Sequence, residues 1–343
     1  MSTVVSSDPS AGRVVVVTGA SAGVGRAVAH RFARDGYRIG LLARDADALR
    51  SVQSEVQRLG GQGLVVPTDM ADADAVFAAA AQVERAFGEI DVWVNNAMAT
   101  VFSPFWEVTP EEFRRVTEVT YLGYVHGTMA ALRHMRPNDR GTIVQVGSAL
   151  AYRGIPLQSA YCGAKHAIRG FTDSLRTELL YAQSRIRLTA VHLPAVNTPQ
   201  FNWARSHMDC QPRPAGPVHQ PEVAADAIVH AAHHAEREYW LGSSTDMAIV
   251  GDMLAPQLVD HYLARTTFEG QCRPEKIEPD RQDNLFQPVP GRHAVRGSFS
   301  HEAKDDALRL TGSTVRFMTA AGALGLAAIA GFAASAMRRN DRR

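Results

Sequence analysis

Cysteine is scarce in this 343-residue chain. Cys162, Cys210 and Cys272 are the only three, and none lies in a CxxC pair or at zinc-ligand spacing. A cysteine-rich zinc site is therefore excluded, and the three read as free thiols in a reducing compartment. An excess of one charge sign is missing too. Lys and Arg number 36 against 35 Asp and Glu, a formal net charge of +1. No basic stripe covers the main body, so nucleic acid is excluded as a partner. No repeat at a solenoid period is present. Residues 1–12 are polar and Ser-rich, with no apolar stretch before Val14, and read as a short disordered lead rather than a secretory signal. What remains is 45% hydrophobic and 21% charged, ample for a sizeable core in one α/β domain.

From Arg13 onward, short β-branched runs alternate with longer amphipathic segments. Val14–Thr18, Tyr37–Ala43, Gly63–Pro67, Ile90–Asn95, Gly141–Gly147 and Ile186–Leu193 fit strands buried on both faces. Val24–Asp35, stopped by Gly36, and Ala46–Leu59, stopped by Gly60 and Gly61, carry helical spacing. This alternation predicts a Rossmann-type doubly wound parallel sheet with helices on both faces, one domain over 13–268. Residues 269–312, rich in Pro, charge and Gln, read as a linker or surface-hugging arm. Residues 313–343 read as an apolar helix with a basic tail.

Between the first strand and helix lies Thr18-Gly19-Ala20-Ser21-Ala22-Gly23-Val24-Gly25. Its glycines permit a tight turn and close approach of backbone to a pyrophosphate, and the helix behind it offers unpaired N–H groups. The second strand ends in Arg44, whose guanidinium suits a ribose 2′-phosphate and so favours NADP(H) over NAD(H), with Asp45 the one nearby feature against it. A solvated loop arginine is the plainer reading. Further on, Tyr161-Cys162-Gly163-Ala164-Lys165 sets a tyrosine and a lysine on one helix face, where an ammonium favours the phenolate and adapts it to proton transfer near neutral pH. Ser148 closes a strand thirteen positions before Tyr161 and can donate to a developing oxyanion.

The TGxxxGxG turn with this Ser, Tyr and Lys arrangement resembles the short-chain dehydrogenase/reductase family. The resemblance implies cofactor contacts from Gly19, Ser21, Gly23, Val24, Gly25, Arg44, Asp69 (facing the adenine, with Met70 beside it), Asn95, Tyr161, Lys165, Pro194, Val196 and Thr198. It also implies the catalytic roles: Tyr161 as proton donor in reduction and acceptor in oxidation, Lys165 holding the nicotinamide ribose and polarising Tyr161, and Ser148 orienting the substrate carbonyl. Met98 stands where the family's Asn-Asn-Ala-Gly has glycine, and Pro194-Ala195 replaces its Pro-Gly pair. Thr120 occupies the position of an asparagine that helps order a relay water; a threonine can still hold one, with different reach.

The segment after Thr198, with Phe201 and Trp203, would form a substrate lid, and Phe102, Phe105 and Trp106 an opposite wall, giving a pocket for a carbonyl or alcohol with an apolar body. Loop packing is the equally weighted alternative for those aromatics. His230, His233 and His234 share a helical face, but their alanine neighbours indicate a helix surface and no metal. Phe317–Met337 is free of charge and can just cross a hydrocarbon core, or lie in its interface, or dock on the protein. The expected location is cytoplasmic, with attachment to the cytoplasmic face of a membrane left open. By resemblance, Glu111–Met135 and Ser159–Tyr181 would be the surfaces of a homodimer or homotetramer. A nucleotide-binding scaffold or sensor with weak turnover is the competing functional reading, supported by Thr120.

Overall fold

In the computed structural model, described for residues 12–278, 281–291 and 293–322, each expected apolar run is a strand. β1 (Val14–Thr18), β2 (Arg38–Ala43), β3 (Gln62–Pro67), β4 (Val92–Asn95), β5 (Thr142–Ser148), β6 (Arg187–Leu193) and β7 (Glu238–Leu241) form one sheet. Across it the order is β3-β2-β1-β4-β5-β6-β7, every neighbouring pair parallel, and β8 (Arg309–Thr311) adds antiparallel to β7. In β1 the alternation of a pleated strand divides the valines between two cores: Val15 and Val17 face one layer, Val14 and Val16 the other. All four are buried, each contributing about 1.5–3 kcal/mol.

The helices are α1 (Gly23–Arg34), α2 (Ala46–Arg58), α3 (Ala73–Phe87), α4 (Pro110–Thr117), α5 (Gly123–Met135), α6 (Ser159–Tyr181), α7 (Pro221–His233), α8 (Ser243–Leu254) and α9 (Pro256–Gly270). α1, α2 and α7 cover one sheet face; α3, α5 and α6 cover the other. Asp45 caps α2 by accepting from the Asp47 and Ala48 amides, and Thr109 with Glu112 forms a reciprocal capping box on α4. The single helix expected over 111–135 is broken by a π-helical turn at Glu118–Leu122, a feature that recurs at functional sites.

Residues 269–312 are woven into the domain. Cys272–Lys276 pairs antiparallel with Cys210–Pro212, and β8 extends the main sheet. The free-thiol expectation is corrected here, and the reducing compartment inferred from it loses its support. Cys210 and Cys272 form a disulfide, with Cα atoms 5.5 Å apart across a separation of 62 residues, while Cys162 is free and buried. Sequence spacing conceals this pair because strand pairing, not local geometry, brings the thiols together. A loop of that length implies up to about 4 kcal/mol of chain-entropy stabilisation.

In the histidine group, the His233 ring nitrogen lies 2.8 Å from the Tyr37 hydroxyl and His230 stacks on His234 at 4.5 Å. Residues 312–322 are helical, but most of the apolar segment 317–337, its basic tail and nearly all of the N-terminal lead lie outside the described residues. Among the described residues no helix is long and apolar enough to cross a membrane.

Candidate active site

The chain winds outward from β1 to β3 and then crosses back to β4, so the sheet order reverses between β1 and β4. The crevice at the carboxyl ends of such strands is where an α/β sheet binds ligands. A cavity of about 790 Å³ opens there. At its floor, Gly19 has a φ of +68°, and a Cβ on it would lie 2.9 Å from the Ala97 Cα; a Cβ on Gly25 would collide with the Gly19 carbonyl oxygen. The loop is thereby folded tightly onto the end of β4. α1 starts behind it with no side-chain cap, and Ser21, Gly23 and Val24 line the cavity. A helix N-terminus without a side-chain cap, its Gly23 amide held by the Ala294 carbonyl, behind a glycine-rich turn fits a pyrophosphate. Gly25 lies outside the lining and acts through packing.

At the far end of this cleft sit Arg44, Asp69 and Met70. Arg44 donates to the carbonyls of Asn284, Leu285 and Phe286, so residues 284–286 strap the cleft. Among the described residues no carboxylate pairs with Arg44; burial and then the nearby Arg115 lower its proton affinity. Asp45, the feature that weighed against NADP(H), is engaged in capping α2 and pairs with His293 at 3.1 Å. Burial pushes the Asp69 carboxyl up, but Arg115 at 2.5 Å and the Ala71 amide outweigh it and hold it below the ordinary value.

Ser148 ends β5, and Tyr161 and Lys165 stand one turn apart on α6; all three line the same cavity. The Lys165 Nζ lies 5.5 Å from the centre of the Tyr161 ring. Burial pushes Lys165 down to about 7. Tyr161 is raised above its ordinary value by burial, with a hydrogen bond to Ser148 pulling the other way. Burial thus acts on both groups, disfavouring the phenolate of Tyr161 and the charge of Lys165 alike.

Pro194, Val196 and Thr198 follow β6 into the cavity lining. Asn95 does not, and its role as a cofactor contact is corrected. Its side chain is fully buried, accepting from Trp93 Nε1 and donating to Thr128 and Gln145, while its neighbour Asn96 reaches the cavity. Thr120 is fully buried, and its hydroxyl accepts from the Ala99 amide (2.9 Å) and donates to the Ala99 carbonyl (2.8 Å), so its one proton is taken and only a second acceptor lone pair is left. Phe102, Phe201 and Trp203 line the cavity, but Phe105 and Trp106 are 65% and 79% exposed on a short turn and form no wall. The wall comes instead from Met247, Val259, Tyr262 and Leu263 of α8 and α9, two helices anchored by Arg153 through Asp252 and Asp260. Their apolar residues at helical spacing were visible in sequence; nothing local aimed them at the site.

Residues 13–209 match the model of the short chain dehydrogenase family. The chain belongs to that family. A similar curated protein is the uncharacterized oxidoreductase YxnA of Bacillus subtilis, 31% identical over 283 residues, or 82% of this chain and 80% of that protein. Two similar solved structures are a short chain dehydrogenase from Mycobacterium paratuberculosis bound to NAD (TM-score 0.58, 26% identity, 65% of this chain and 91% of that one) and an alcohol dehydrogenase from the archaeon Thermococcus sibiricus complexed with 5-hydroxy-NADP (TM-score 0.57, 27% identity, 66% and 95%). As a short chain dehydrogenase the protein is an oxidoreductase with a nucleotide-binding Rossmann-type fold.

Proposed function

We propose that this enzyme interconverts a carbonyl and an alcohol on an apolar, lipid- or steroid-like small molecule with NADP(H). The observation that carries the reading is the convergence of Ser148, Tyr161 and Lys165 on one cavity whose other end is the glycine cradle and Arg44. When bound, the nicotinamide supplies or accepts the hydride. The Tyr161 hydroxyl gives its proton to the substrate oxygen in reduction and takes it back in oxidation, and Ser148 donates a hydrogen bond to the same oxygen. Lys165 binds the nicotinamide ribose and polarises Tyr161. Arg44, charged and among the described residues bonded only to carbonyls, supports a dianionic 2′-phosphate, which would compete with the strap. The aromatic and aliphatic walls support the apolar substrate body.

The test is NADP⁺ reduction by purified protein offered a cellular lipid extract, with Tyr161→Phe alongside. NADPH formation that falls about 10²–10⁴-fold in the variant is expected. Tight NADPH binding without turnover on any substrate would instead leave a nucleotide-binding scaffold. Two attributes belong to the same proposal. Helices α4–α5 and α6 serve as homo-oligomer faces, checked by light scattering. The apolar C-terminal segment attaches the enzyme to the cytoplasmic face of a membrane, checked by whether truncation after Gly312 releases it.

A further inference from the structure

One buried titratable group beside the site has no part in the chemistry above. Tyr124, on α5, is 1% exposed. Its hydroxyl donates to the Val146 carbonyl of β5 at 2.9 Å. Lys165 Nζ donates to the Tyr124 oxygen at 3.0 Å and to the same Val146 carbonyl at 2.8 Å, and stands 4.6 Å from the centre of the Tyr124 ring. A lysine ammonium has three protons to donate. Two are taken by a phenol and a carbonyl on neighbouring elements, which leaves one for the cavity. Thr120, one turn earlier, is closed on Ala99 and supplies nothing to the lysine.

We propose that Tyr124 is the positioning residue of Lys165: its phenol takes, as a fixed protein group, a hydrogen bond that would otherwise go to water, aims the remaining N–H into the cavity and sets the lysine's proton affinity. This rests on the reading of Lys165 as the partner of cofactor and Tyr161. Burial opposes the charged lysine, and among the described residues the Tyr124 oxygen is the one side-chain acceptor bonded to it, so removing that oxygen destabilises the ammonium further. The other groups facing Lys165 are Tyr161 on its own helix and the set lining a small void behind it: Arg169, Asp173 and Arg176 on α6, His192 on β6, and Arg237 with Glu238 at β7. None of these is hydrogen-bonded to Nζ among the described residues.

The chain contains only three lysines, Lys165, Lys276 and Lys304, so lysine labelled with ¹³C at Cε gives three resonances. Lys165→Met assigns the one of interest. The titration of that resonance in cofactor-free protein is compared with the same titration in Tyr124→Phe, which keeps the ring and removes the oxygen. The Lys165 midpoint should fall by about one pH unit, tenfold in proton affinity, with NADPH affinity within threefold of wild type. The pH limb of kcat/KM assigned to the lysine should move by the same amount. Tyr124→Met serves if the phenylalanine variant does not fold. An unmoved midpoint overturns the inference even where Tyr161-dependent turnover is intact; a shifted midpoint in a protein without turnover upholds it and defeats the enzymatic reading alone.

Discussion

Glu238 on β7 is the most heavily engaged buried carboxylate near the site, and replacing it with alanine tests the packing logic directly. It is 6% exposed, accepts hydrogen bonds from Tyr152 and Arg316, and lies 3.2 Å from His192 Nε2. The other nitrogen of His192 is 3.2 Å from the Ser148 carbonyl, so the network runs from the helix at 312–322 to the catalytic strand end. Glu238→Ala strands His192 and Tyr152 without their acceptor, and removing one partner of a buried ion pair costs about 3–5 kcal/mol. Arg316→Ala should cost about 1 kcal/mol or less, because its side chain is 35% exposed and the lost charge is solvent-screened. With a urea slope of roughly 3 kcal/mol per molar, the Glu238→Ala midpoint should fall by about 1–1.7 M at pH 7. Burial raises the Glu238 carboxyl, but His192, Tyr152 and Arg316 outweigh it and hold it well below the usual carboxylate range. A depressed carboxyl contributes stability above its unfolded value, near 4.3, and loses it as pH falls toward the folded value. The gap between wild type and variant should therefore be full at pH 7 and narrow below about pH 4. A gap under about 1 kcal/mol at pH 7, or one that widens on acidification, refutes the reasoning.

Four further outcomes follow from the same geometry. Arg44→Ala should weaken NADPH binding by about 10–100-fold while leaving NADH within a few-fold, measured by fluorescence titration; equal losses for both would remove Arg44 as a phosphate ligand. Thiol titration of the denatured, unreduced chain should count one free cysteine, Cys162, and Cys272→Ser should lower stability by about 2–4 kcal/mol. Gly25→Ala should abolish dinucleotide binding by forcing the loop off the Gly19 carbonyl, even though Gly25 touches no part of the cavity; near-normal binding in calorimetry contradicts that view. Trp106→Ala, at an exposed turn, should leave KM for an apolar substrate unchanged, whereas Tyr262→Ala in the wall should raise it severalfold.

Much of this protein was legible before folding because its chemistry is carried by local patterns. A β-branched run, a glycine turn and a helix start are neighbours in the chain, so Val14–Thr18 and Gly19–Gly25 already specify a strand and an anion cradle. Tyr161 and Lys165 share a face because they are four residues apart on one helix. Gly25 and Asn95 were found by the same signal, but a residue's presence in the pattern does not say whether its atoms face the ligand. Asn95 turns inward because Trp93, Thr128 and Gln145 satisfy its amide there, at no cost in unpaired polar groups.

What only the tertiary structure decided is long-range. Arg44 meets its carbonyl partners 240 residues later. Cys210 finds Cys272 through strand pairing, and α8 with α9 supplies the wall that Phe105 and Trp106 do not. Tyr124 reaches Lys165 because α5 and α6 pack on the same sheet face. The physical reason is common to all four. Periodicity and propensity encode which face of an element is apolar, whereas the partner that a given polar atom meets depends on how whole elements pack, and that is settled by the summed burial of both cores.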